Sequence, residues 1–129
     1  MERKSYIEHL PDDIKAKAHY SSGGEAAWPR EEALAVITFL CGFDYAVLGG
    51  EVWLPTSPGP TIPSPYIYSW EVNPQQSSES WRAFVDRAAS ESKKYVLEFQ
   101  WDSAEKTSAL AIPFFNLTVV SKSEYQDCA

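Results

Sequence analysis

The sequence predicts an α+β protein, with one antiparallel sheet of three or four strands packed on two helices in a single domain spanning residues 1–129. Three observations lead there. Apolar residues recur at helical spacing in two runs, 29–41 and 79–99. Three other stretches, 45–54, 66–72 and 109–121, alternate as strands do. The chain has 129 residues, 44% hydrophobic and 22% charged, which is enough apolar material for one core without metal or disulfide staples.

Ile7, Leu10 and Ile14 predict a short helix broken at Pro11, and Gly23-Gly24 a turn. The first long helix opens at Pro29, with Glu31 and Glu32 in its first turn, where the positive end of the helix dipole favours acids. Ala33, Leu34, Ile37, Leu40 and Cys41 form its apolar stripe and Gly42 its stop. In the strand over 45–54, Ala46, Leu48, Val52 and Leu54 share one face, and Val47, Glu51 and Trp53 the other. Gly49-Gly50 predicts a bulge or a close backbone approach there. Five prolines between Pro55 and Pro65 then exclude helix and central strand. That stretch is either a plain stiff connector or a loop already ordered for binding.

In 66–72, Tyr66, Tyr68, Trp70 and Val72 alternate against Ile67, Ser69 and Glu71, so the two strands could pair as a hairpin with a long loop. Ser77 or Ser78 is the expected cap of the second helix. Trp81, Phe84, Val85, Ala88, Ser92, Tyr95, Val96 and Phe99 carry its core stripe. Its end also reads as a strand, because Tyr95, Leu97, Phe99 and Trp101 alternate; the unbroken helical phase from Trp81 favours helix. In the closing strand, Phe115, Leu117 and Val119 face inward, Asn116 and Thr118 outward, and Pro113 marks an edge or bulge.

The formal net charge is −7, which argues against a phosphate-backbone binder and against an anionic membrane surface. Its distribution is uneven. Between Lys17 and Arg82 one cation, Arg30, stands against seven acids (Glu25, Glu31, Glu32, Asp44, Glu51, Glu71 and Glu79), a balance of −6. The same half carries Trp28, Trp53 and Trp70. Negative potential beside exposed indoles suits a basic protein partner; an acidic surface that merely confers solubility is the plainer alternative.

Enzyme signatures are missing. His9 and His19 form no HExxH, Cys41 and Cys128 form no CxxC, and neither glycine pair fits a dinucleotide or phosphate loop. Glu51 and Glu71 are the nearest approach to a carboxylate pair. No cofactor and no metal site is expected. Two free thiols, with no signal peptide and no membrane span in the sequence, predict a cytoplasmic protein.

The order of pieces carries a resemblance. Ala27-Trp28-Pro29-Arg30-Glu31-Glu32-Ala33-Leu34 comes first, then Ala46-Val47-Leu48-Gly49-Gly50-Glu51-Val52-Trp53. After the proline stretch follow Tyr68-Ser69-Trp70, Glu79 to Ala88 and Lys94-Tyr95-Val96. This resembles the immunity-protein-40 family of bacterial polymorphic toxin systems, over about residues 14 to 97. Glu51 stands where the family pattern has aspartate, and Ser69 where it has asparagine. The resemblance implies a small α+β protein that is not an enzyme and that neutralises a toxin encoded beside it. Many such toxins attack nucleic acid through basic clefts, which would match the acidic half.

Glu51, Trp53, Trp70 and Glu71 are the expected partner-binding residues, with Trp81 and Phe84 assigned to the core. Glu51 beside two glycines could equally hold the sheet together by accepting backbone hydrogen bonds. A rival function is a small-molecule site or enzyme pocket lined by Trp53, Tyr66, Tyr68 and Trp70, with Glu51 or Glu71 as its polar group. A third is a domain that is only structural within a larger complex.

Overall fold

Residues Arg30–Gly42 (α2) and Trp81–Glu98 (α3) form the two long helices, as their apolar periodicity predicts. The structure, a computed structural model, describes residues 5–20, 25–55, 61–63, 68–100 and 112–127. A 3-10 turn, Ser5–His9, precedes a short helix, Asp12–Ala16 (α1), and Pro11 separates the two. The strands are His19–Tyr20 (β1), Ala26–Pro29 (β2), Ala46–Pro55 (β3), Thr61–Pro63 (β4), Ser69–Glu71 (β5) and Phe114–Val120 (β6). A last helix, Lys122–Asp127 (α4), follows β6. Trp101, Cys128, Tyr66, Ile67 and Gly23-Gly24 lie outside the described residues, as does most of the proline stretch.

Among the described residues, six antiparallel strands fill five positions in the order β1-β2-β6-β3-β4, with β5 sharing the β4 edge of β3. The sheet is thus wider than the three or four strands expected. The extra strands, β1, β2 and β4, are only two, four and three residues long, too short for alternation to show, and β4 is an edge strand inside the proline stretch read as a connector. β6 lies at the centre, between β2 and β3, rather than closing the sheet. Because β2 and β3 are both antiparallel to β6, they run parallel to each other, joined through α2. By the same argument β5 and β6 are parallel across β3, joined through α3. The fold is two interleaved split β-α-β units with both helices on one face.

That face holds the main core. Ala26 and Trp28 of β2, Val47 and Val52 of β3, and Phe115 and Leu117 of β6 meet Ala33, Val36, Ile37 and Leu40 of α2, with Ala89 and Val96 of α3. Burying each large apolar side chain contributes about 1.5–3 kcal/mol. Trp28 is completely buried in this layer, and its indole N–H donates to the Ile14 carbonyl (3.2 Å). It is therefore core rather than an exposed docking indole. Trp81 and Phe84 are core as expected, in a second cluster with Ala46, Val72, Val85 and Ala88 that Tyr125 of α4 packs against.

The helices run antiparallel and are tied at both ends. Arg30 donates to the Phe99 carbonyl (2.8 Å) at one end. At the other, the Trp81 indole donates to the Asp44 carbonyl (3.0 Å) and Arg82 donates to the Cys41 carbonyl (2.8 Å). Pro29 ends β2 and caps α2 instead of occupying its first turn. Gly42 is still helical, and Asp44 (φ 68°) is the residue that takes the left-handed conformation as the chain turns into β3. Ser80, not Ser77 or Ser78, caps α3: its hydroxyl accepts from the Ala83 N–H (3.1 Å). The helix continues through Tyr95 to Glu98, so the strand reading of its end falls.

Candidate partner-binding face

The glycine pair sets the geometry of the candidate site. A register shift between Val47 and Gly49 places a bulge in β3, which reverses the side-chain phase. Val47 points to the helix side, yet Glu51 and Trp53 point to the opposite, outer face. The expectation that these three share a face is corrected by that one extra residue.

At Gly49 a Cβ would collide with the Trp70 carbonyl oxygen, and at Gly50 with the Asn116 carbonyl oxygen and the Trp70 ring. The missing side chains let β5 lie close against β3, with the Trp70 indole flat over Gly50 on the helix side. There the indole N–H donates to Ser92 Oγ (3.0 Å), and its ring stacks on Tyr95 (centroids 4.6 Å apart, 24° between planes). Ser92, fully buried, donates in turn to the Val47 carbonyl (3.3 Å). One hydroxyl thus fastens α3 to both β3 and β5.

Of the four expected partner-binding residues, the structure brings Glu51 and Glu71 together on the outer face and separates the two indoles. Trp53 shares the outer face but is only 3% exposed, packed with Ala27 and Phe114. Trp70 is half-buried on the other side of the sheet. Neither Trp53 nor Trp70 therefore stands as an exposed indole beside these carboxylates. The rival pocket goes with them, because Trp53 and Trp70 on opposite faces cannot line one cavity.

The outer face around Glu51 is polar and open. Glu25, Glu51, Ser69, Glu71, Asn116 and Thr118 line a shallow depression there. The Trp53 indole N–H donates to the Glu51 carboxylate (3.3 Å) and so orients it. No backbone donor reaches that carboxylate among the described residues, so it is not the sheet-holding acid considered above. Asn116 points outward as expected but is only 4% exposed; its amide donates to the Ala26 carbonyl (2.8 Å) and to Glu25 (3.1 Å). The sequence reading missed Glu25 and Asn116 as site residues. Central placement of β6 brings them together, and nothing local to either residue signals it.

The acids of the −6 segment differ in their pairing. Glu79 takes a two-pronged contact from Arg87 (2.8 and 2.9 Å), which holds its carboxyl well below the usual range, at about 2. Asp44 pairs with Arg82 (3.1 Å) and Glu32 with Lys17 (3.6 Å). Arg82 also binds Asp86 (2.7 Å) and lowers its pKa. Burial, with Asp86 alongside, pushes the Cys41 thiol up, away from the reactive thiolate. Glu51 and Glu71 have no ion-pair partner among the described residues.

This acid-lined sheet lies within a stretch that carries a family signature. The family model for immunity protein 40 matches residues 17–114. The chain belongs to the immunity protein 40 family. The match takes in β1 to β5, both long helices, the glycine pair and Glu51, and reaches only the first residue of β6, Phe114. It makes the role of the chain that of an immunity protein. No curated protein and no solved structure matches the chain. Among the described residues no helix is long and apolar enough to cross a membrane, and no three His, Cys, Asp or Glu side chains converge as metal ligands do.

Proposed function

We propose that this chain neutralises a cognate secreted toxin by stoichiometric binding, with the outer sheet face as its docking surface and no chemistry of its own. The protein works as a single domain in the cytoplasm of the cell that must be protected. The observation that carries this reading is that Glu51 and Glu71 project from one open face without ion-pair partners among the described residues, beside Glu25 and Ser69. Such a face attracts a basic partner and holds it in register. A nuclease, whose cleft must be basic to hold phosphates, is the toxin type whose charge fits.

The four residues then divide by role. Glu51 and Glu71 touch the partner. Trp53 orients the Glu51 carboxylate from within the sheet, and Trp70 holds β5, and with it Glu71, from behind.

The test is binding of the toxin domain encoded by the neighbouring gene to the wild-type chain and to the double variant Glu51→Lys/Glu71→Lys. The double reversal is expected to weaken binding by about 100-fold at low salt, roughly 2.7 kcal/mol, and to flatten its salt dependence, with an unchanged circular dichroism spectrum and melting temperature. An unfolded variant would make the two acids scaffold. A folded variant of undiminished affinity would move the docking surface elsewhere.

A further inference from the structure

The free edge of β5 carries more than its length implies. In the ladder with β3, the Val52 N–H donates to the Tyr68 carbonyl (2.9 Å) and the Val72 N–H to the Leu48 carbonyl (2.8 Å). Trp70 stands opposite Gly50, in phase with these two pairs. Hydrogen-bonded pairs alternate along an antiparallel ladder, so Tyr68, Trp70 and Val72 spend their backbone groups on β3. Ser69 and Glu71, between them, direct N–H and C=O away from the sheet. Among the described residues nothing accepts or donates there, and β5 has no second neighbour. An uncovered edge of this kind is a template for one more strand.

Beside that edge runs a groove of about 360 Å³ between β5 and α3. Its apolar floor is Trp70, Val72 and the stacked Tyr95. On its rim Glu91 shares Arg87 (3.2 Å) with Glu79, and Glu71 and Glu98 stand against Lys94, so the rim is acidic on balance. Glu71 also belongs to the outer acidic depression, so the groove and the proposed docking face meet at the edge of β5.

A strand added here would have two unlike sides, because its side chains alternate. One side falls on the aromatic floor and wants apolar residues. The other continues the outer face next to Glu71, Ser69 and Glu51 and wants cations. We infer that the β5 edge receives an extended segment of the partner protein in which apolar residues alternate with lysine or arginine, bound by strand addition to Ser69 and Glu71. This deepens the toxin-binding reading and rests on it for the identity of the partner, although the edge chemistry stands without it. Backbone bonds would supply affinity, and the alternation would supply specificity.

The probe is an octapeptide of alternating arginine and valine, titrated into the full chain and followed by NMR and amide hydrogen exchange. The control peptide has glutamate in place of arginine. Exchange at the Ser69 and Glu71 amides is expected to slow by about tenfold or more at saturation, with a shift of the Trp70 indole resonance. The control is expected to bind at least about tenfold more weakly. Glu71→Pro removes one outward N–H and no bond to β3, and is expected to abolish the protection. Tyr95→Ala, which strips the groove floor and its stack on Trp70 but removes no backbone donor of β5, is expected to weaken the peptide severalfold and serves if the proline variant misfolds.

Equal binding of both peptides, protection spread over other surfaces, or no protection at Ser69 and Glu71 would each overturn the inference. No toxin enters this experiment. Failure here with an intact toxin complex removes the edge mechanism alone, whereas edge protection without a toxin complex removes the partner assignment alone.

Discussion

Two acid-bearing regions of this protein come from the same stretch of sequence and do opposite things. At the start of α3 and the end of α2, Glu79 and Asp44 are held by Arg87 and Arg82. On the outer sheet face, Glu51 and Glu71 meet no cation among the described residues. The first set joins elements, since Arg87 also donates to the Pro74 carbonyl (3.1 Å) and Arg82 to that of Cys41 (2.8 Å). The second set leaves its charge to solvent and to whatever docks. Counting charge along the chain treats both sets alike. What separates them is α3, whose two arginines follow the acidic segment in sequence and fold back on Asp44 and Glu79 but not on Glu51 or Glu71.

The comparison can be broken first at the bed of the sheet face. In Gly49→Ala the new methyl group meets the Trp70 carbonyl oxygen of β5, so the β5–β3 contact must open. A loss of about 3 kcal/mol is expected, with Glu71 displaced from the face. Denaturant unfolding reports the loss, and an unaltered stability would mean that the glycine pair does not set the position of β5.

A smaller effect is expected from Ser92→Ala. It strands a buried indole N–H and should cost about 1–3 kcal/mol. The Trp70 side-chain exchange rate should rise with it, which ties the helix to the outer face through one hydroxyl.

The smallest effect is at the scaffold acid. Glu79 ionises at about 2 in the fold against an ordinary value of 4.5. A depressed folded value stabilises the fold above the unfolded value, and that stabilisation is lost as pH falls from about 4.5 toward 2. The stability gap between wild type and Glu79→Gln should therefore be full at pH 6 and close near pH 2. A gap independent of pH would remove the Arg87 pairing as its cause.

These contrasts also show what a linear reading can reach. Both long helices were legible because thirteen and eighteen residues of 3.6-period pattern leave little room for another structure. The alternation of Ser69 and Glu71 against Tyr68, Trp70 and Val72 was legible for the same kind of reason, but not which side meets the helices: Trp70, expected on the docking surface, packs on Ser92 and Tyr95. Gly49-Gly50 was legible as a bulge, but its consequence was not, because one extra residue turns Glu51 and Trp53 over relative to Val47. Trp28 was misplaced because Glu25, Glu31 and Glu32 lie three or four residues from it in sequence, whereas its neighbours in space are Phe115, α2 and the Ile14 carbonyl. The central position of β6, which brings Asn116 beside Glu25 and opposite Glu51, depends on pairings some 65 to 90 residues apart, with no local signal.

The most direct test sets two double variants of equal formal charge side by side, Glu51→Gln/Glu71→Gln and Asp44→Asn/Glu79→Gln, and measures affinity for the neighbouring-gene toxin domain across a range of salt concentrations. The first pair is expected to lose about tenfold or more in affinity and most of the salt dependence, at unchanged stability. The second should keep affinity and salt slope while losing stability. Equal losses of affinity in both pairs would show that only total charge matters, and the outer sheet face would no longer be the docking surface.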